Sequence, residues 1–232
     1  MGLCFRYNFV IMTTIQSNTS KSKQNFALIT VCLAALMFSF EISSVPVALS
    51  AIEKQLKGNF SDLQWIMNAY TIACCTVLMA SGTLADRYGR RRLFCYNVVL
   101  FGITSLVCGF AGSMHLLIIA RFLQGMSGGA MFIFAIANLS TQFPDTKGRA
   151  KAFSVWGVIV GVGLGFGPVI GSAIMSVADW RWIFLVHVPL ALITLLLANW
   201  SIIESRDGNA RRLDIAGIVF MALAVFALTF YI

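Results

Sequence analysis

The sequence predicts an all-α membrane protein, and three observations carry that reading. Of its 232 residues, 59% are hydrophobic and only 11% charged, with a mean hydropathy of +0.84, whereas a soluble domain carries about 25% charged residues. The apolar residues come in continuous runs rather than in polar–apolar alternation, the pattern of spanning helices and not of a barrel. The lysines and arginines fall between those runs, concentrated on alternate connections. Together these exclude a cytoplasmic enzyme, a nucleic-acid-binding protein and a disordered chain. The expected surroundings are a lipid bilayer.

The runs define the elements in order. Spans 1 to 6 are expected at residues 26–51, 65–84, 93–111, 116–139, 152–177 and 183–203. Each is close to the roughly 20 residues that a ~30 Å hydrocarbon core requires. Residues 1–25 read as a polar tail, 204–214 as a connecting loop, and 215–232 as the start of a seventh span cut off by the end of the chain. No secretory signal is evident, and Met12 is an alternative start to Met1. A chain that stops inside an apolar run reads as part of something larger.

Charge sets the direction. With the amino terminus inside, thirteen of the 17 lysines and arginines fall on inner segments and three on outer loops, with Arg121 inside span 4. The expected topology is therefore multi-pass in the inner (plasma) membrane with a cytoplasmic amino terminus. The net charge of +8 reports these inner segments and implies no nucleic-acid partner. The six cysteines show no metal or disulfide spacing and read as packing residues.

Three words stand out along the chain. Gly82-Thr83-Leu84-Ala85-Asp86-Arg87-Tyr88-Gly89-Arg90-Arg91-Arg92 makes a tight turn between spans 2 and 3. Its glycines permit a sharp reversal, and Asp86 can accept hydrogen bonds from a helix amino terminus or an arginine. Read alone, it is either a topology anchor or a gate. Arg121-Phe122-Leu123-Gln124-Gly125 puts a charge inside an apolar helix, at a cost of about 3 kcal/mol near a helix centre even on mild insertion scales. Gly163-Leu164-Gly165-Phe166-Gly167-Pro168-Val169-Ile170-Gly171 fills span 5. Gly157, Gly161 and Gly165 form one stripe there, and Gly163, Gly167 and Gly171 a second, each at a spacing that allows close helix packing. Pro168 is expected to kink the helix.

In this order the three words resemble the loop 2–3, span 4 and antiporter motifs of the major facilitator superfamily. Trp65-Ile66-Met67-Asn68-Ala69-Tyr70 and Trp180-Arg181-Trp182-Ile183-Phe184 are similar to its fourteen-span drug:proton antiporter branch. The resemblance runs from about Ala27 to Ile232. It implies the amino-terminal six-helix bundle of the major facilitator fold, built as two inverted three-helix repeats, plus a partial seventh span. Asp86-Arg87 and Asp179-Trp180-Arg181, on opposite sides of the membrane, fit such a repeat. The departures are Glu41 at the branch's aspartate, Pro46 at its asparagine, Ser50 at its proline, Ser172 for the closing glycine, and His187 where asparagine is usual.

The implied activity is proton-coupled efflux of small amphipathic molecules, with protons and those molecules as partners, together with a missing carboxy-terminal half. No cofactor is implied, no catalytic group appears, and no GxxxxGK[ST] loop is present. The alternatives are a truncated remnant, a half-length subunit needing a partner, and a sugar or metabolite carrier of the same fold. Arg121 lies roughly 8 Å and Glu41 roughly 15 Å from the outer ends of their spans at ~1.5 Å per residue. The two charges therefore sit at similar depth, and Glu41 is expected to be the protonatable group, tuned by Arg121 beside Gln124. In the loop 2–3 motif the expected residues are Gly82, Asp86, Arg87, Gly89, Arg90 and Arg91, with Arg149 as a gate partner of Asp86. In the antiporter motif they are Gly163, Gly167, Pro168 and Gly171. His187, near the outer surface, reads as structural, the alternative being a proton relay.

Overall fold

The computed structural model describes residues 2–205 together with 217, 220, 223, 224 and 227; for residues 2–20, 79, 80, 82, 83 and 86 it describes the backbone alone. The expected seventh span and most of the 204–214 connection lie outside the described residues. Seven helices follow in order: α1 Gly2–Leu56, α2 Phe60–Tyr88, α3 Arg90–Gly109, α4 Met114–Gln142, α5 Thr146–Val177, α6 Arg181–Leu185 and α7 His187–Ser201. No strand occurs among the described residues. Lys21–Leu56, Arg90–Gly109, Met114–Gln142, Thr146–Val177 and Arg181–Ser201 are long and apolar enough to cross a membrane. α2, with 29 residues, packs with these five as the remaining member of a six-helix bundle.

Local chemistry explains where the helices start. Asn59 and Asp62 form a reciprocal capping box at α2 (2.9 and 3.0 Å), Ser113 caps α4, and Asp145 accepts the Gly148 amide at the head of α5. α1 begins at Gly2 rather than at the expected Phe26. No glycine or proline occurs between residue 3 and Pro46, so nothing interrupts the backbone ladder through the polar segment.

α5 continues through Pro168 as one helix. The sixth span is divided instead, at Val186, between α6 and α7. Pro189 accounts for that position, because it lacks the amide that would bond the Leu185 carbonyl and its ring crowds that oxygen.

The packing has an internal exchange symmetry. α1 lies against α5 and α7, and α4 lies against α2 and α3. Swapping spans 1, 2 and 3 for 4, 5 and 6 maps one set of neighbours onto the other, as two inverted three-helix repeats require. The interior is layered. One apolar cluster holds Met37, Phe94, Phe101, Met131 and Phe134, toward the end bearing the arginine-rich turn. A second holds Val45, Ile66, Leu117, Trp180 and Phe184, toward the other end. Between the two clusters lie fully buried polar side chains: Glu41 on α1, Ser105 on α3, Arg121 and Gln124 on α4, and His187 on α7.

Candidate functional site

The polar layer is an ion-pair cluster closed off from solvent. Arg121 Nη1 donates to Glu41 Oε1 and to Gln124 Oε1 at 2.8 Å. Its Nε donates to the Ile66 carbonyl at 3.3 Å. The guanidinium lies 4.2 Å from the centre of the Tyr70 ring, where the ring face favours a cation. Gln124 Nε2 donates to Ser105 Oγ at 2.9 Å, and Cys108 Sγ lies 3.5 Å from Gln124 Oε1. Four helices, α1 to α4, therefore hold one charge pair. The depths estimated from sequence do bring Glu41, Arg121 and Gln124 together.

Buried charges at zero exposure are costly unless they are paired and hydrogen-bonded. Here the pairing is one-sided. Glu41 Oε2, Arg121 Nη2 and the Tyr70 hydroxyl make no hydrogen bond. Next to Glu41 Oε2, at 3.3 Å, stands Nδ1 of His187, which sequence reasoning had set aside as structural. The imidazole packs between Phe40 and Phe101, with ring centroids 5.6 and 5.5 Å away. The break at Val186 and the proline two residues beyond His187 are the sequence signals that could have located it.

The glycines of α5 sort into two environments. A Cβ at Gly163 would lie 2.7 Å from Ser39 Cβ, one at Gly167 2.9 Å from Ser43 Cβ, and one at Gly171 3.2 Å from Ser44 Cβ. This stripe seats α5 on α1, and Pro168 beside it is half-buried. The stripe of Gly157, Gly161 and Gly165 has nothing within 4 Å. On α4, Gly125 and Gly129 press against the α2 backbone at Tyr70 and Cys74, the counterpart contact in the other repeat.

At the arginine-rich end, Gly89 ends α2 and begins α3 with φ +104°, a conformation that favours glycine. The Glu204 carboxylate, arriving from beyond α7, accepts the amides of Arg91 (3.2 Å) and Arg92 (3.1 Å). Arg91 Nη2 donates to the Asn199 carbonyl at 2.8 Å, Arg90 Nη1 reaches the Ala137 carbonyl at 3.4 Å, and Arg87 is exposed. Sequence reasoning did not foresee Glu204. Arg149 donates to the carbonyls of Phe143 (3.0 Å) and Ser140 (3.1 Å), finishing α4. Gly82 lies in α2, and the side chain of Asp86 is outside what the structure describes, and with it the expected Asp86–Arg149 pair.

At the opposite end, Gln55 of α1 accepts from Trp180 Nε1 and from Arg181 Nη1, while Arg181 also pairs with Asp179 at 2.7 Å. Thus each end of the bundle has its own polar latch, and the ion-pair layer lies between them.

Comparison with known proteins places this geometry. Multidrug resistance protein Stp of Mycobacterium tuberculosis (strain CDC 1551 / Oshkosh) is 34% identical over 207 residues, 89% of this chain and 38% of Stp. Drug efflux pump JefA of the same strain is 34% identical over 203 residues, 88% of this chain and 40% of JefA. A puromycin resistance protein of Streptomyces alboniger is 34% identical over 192 residues, covering 83% and 38%. The chain spans about two fifths of the length of these relatives. The family described as Major Facilitator Superfamily matches residues 31–232, so the chain belongs to the major facilitator superfamily of membrane transporters, which are not enzymes.

Proposed function

We propose that this chain forms the amino-terminal half of a proton-coupled exporter of small amphipathic molecules, of the fourteen-span drug:proton antiporter type. Its amino terminus faces the cytoplasm. The observation that carries the reading is the buried pair of Glu41 and Arg121, with Gln124 completing the arginine's partners. A carboxylate whose second oxygen has no hydrogen bond gains by taking a proton. Protonation weakens the hold of Arg121, and a cationic group on a bound substrate competes for the same oxygens. Exchange of proton for substrate at one carboxylate is antiport.

The drug-resistance and drug-export names of the relatives support the substrate class. The thirteen-to-three distribution of basic residues supports the orientation. A partner carboxy-terminal half is supported by α5, whose open glycine stripe and exposed Val158, Phe166 and Val169 offer a close-packing face. Export is measured with everted vesicles of a complete transporter that carries this half. Glu41→Gln is expected to abolish proton-driven export while the protein still reaches the membrane. Full proton-coupled export by that variant would sink the proposal.

A further inference from the structure

We infer that His187 shares the coupling proton with Glu41, so that the proton site is a carboxylate–imidazole dyad bridging α1 and α7. The inference rests on the proposed role of Glu41. It stands on the placement of the ring nitrogens. Nε2 of His187 lies 3.1 Å from the Met37 carbonyl oxygen. Nδ1 lies 3.3 Å from the Phe184 carbonyl oxygen and 3.3 Å from Glu41 Oε2. Both nitrogens therefore face only acceptors.

A neutral imidazole carries one N–H and one bare lone pair. Whichever tautomer forms, the bare nitrogen then points at oxygen lone pairs inside a dehydrated core, which is unfavourable. One added proton resolves the conflict in either of two ways. The imidazolium donates from both nitrogens, or Glu41 Oε2 is protonated and donates to Nδ1 while Nε2–H donates to Met37. The proton moves between Oε2 and Nδ1 within the pair, and it has left only when the imidazole is neutral and the carboxylate is charged. The other oxygen, Glu41 Oε1, is the one that pairs with Arg121.

The other groups facing the dyad are fixed. Arg121 comes from α4, Tyr70 from α2 and Cys108 from α3, the last two electrostatically coupled to Glu41. α5 carries charge only at Lys147, Arg149 and Lys151 in its first two turns, far along the helix from this layer. The helix break at Val186 puts His187 at the first position of α7, so loss of the proton acts where the sixth span is already divided. Whichever nitrogen is then bare faces an oxygen of α1, the Met37 carbonyl or the Glu41 carboxylate, and that repulsion pushes α1 and α7 apart, which ties proton release to movement of a helix.

The chain has two histidines, and the other, His115, is exposed, which makes the test direct. The unsubstituted chain is labelled with nitrogen-15 histidine in lipid nanodiscs, and His115→Gln assigns the spectrum. His187 is expected to gain and lose its proton in step with the Glu41 carboxyl band in infrared titration. Glu41→Gln is expected to move the His187 midpoint, and His187→Asn the Glu41 midpoint, by about one pH unit or more, a tenfold change in proton affinity. An imidazole that titrates at the same pH in the presence and absence of the Glu41 carboxylate overturns the dyad. So does a Glu41 midpoint unmoved by His187→Asn. Failure of the antiport reading is seen separately, as export retained by Glu41→Gln, and leaves these spectroscopic results as they are.

Discussion

The Ser43 hydroxyl of α1 reaches across to the backbone carbonyl of Gly163 in α5, 2.9 Å away. That approach is possible because α5 presents hydrogen where other residues present Cβ. The contact sits on the stripe that continues through Gly167 and Gly171, and it makes the α1–α5 interface the tightest test of the packing.

Gly167→Ala is therefore expected to destabilise the bundle, because the new Cβ meets Ser43 Cβ at 2.9 Å and overpacking costs about 1–3 kcal/mol. Gly161→Ala, where nothing lies within 4 Å, is expected to be neutral or to stabilise by up to ~1 kcal/mol through helix propensity. Thermal unfolding of the two variants in one detergent compares them. Equal effects would remove the distinction between the stripes.

Arg121→Leu is expected to cost about 3–5 kcal/mol, since it strands the buried Glu41 carboxylate. The double variant Glu41→Gln with Arg121→Leu is expected to recover part of that loss. A double-mutant cycle read by denaturation gives the coupling, and additive losses would contradict the pairing.

Glu204→Ala removes the acceptor for the Arg91 and Arg92 amides, with an expected cost of ~1 kcal/mol, as for the loss of a helix cap. Hydrogen exchange at those two amides is expected to accelerate while that of the mid-helix amides of α3 holds. Unchanged protection would mean that the carboxylate does not cap α3 in solution.

Gln55→Ala leaves the indole of Trp180 and the guanidinium of Arg181 without a shared acceptor. The Trp180 ring is nearly fully buried, so a loss of about 1–3 kcal/mol is expected, with a shift in tryptophan emission at the end away from the arginine-rich turn. Emission and stability identical to the parent would show that the latch contributes nothing.

Much of this arrangement was legible in the sequence because a membrane simplifies the problem. Apolar runs located the spans, and counting residues from their ends put Glu41 and Arg121 at one level. What escaped had physical causes. The two glycine stripes of α5 are equivalent as spacing, and only the neighbour on one side distinguishes them. For His187 the sequence left a structural role and a relay open, and only the packed helices put its ring beside Glu41, at the break ahead of Pro189. Glu204 lies outside the apolar runs, and its partners precede it by more than a hundred residues, a separation no local pattern reveals. Of the two prolines in spans 5 and 6, Pro168 stands within an uninterrupted α5, whereas the sixth span is interrupted ahead of Pro189.

Gly89 caps two helices at once, and the segment that leaves α7 touches it through Glu204. The mutual angle of α2 and α3 is consequently written in a single pair of dihedrals. A Cβ at that position would meet the Glu204 carboxylate at 2.7 Å, so the carboxylate reads the same joint from the far end of the sixth span. Two helix tips and the segment leaving α7 thus meet at one residue, so a side chain at position 89 would disturb all three together.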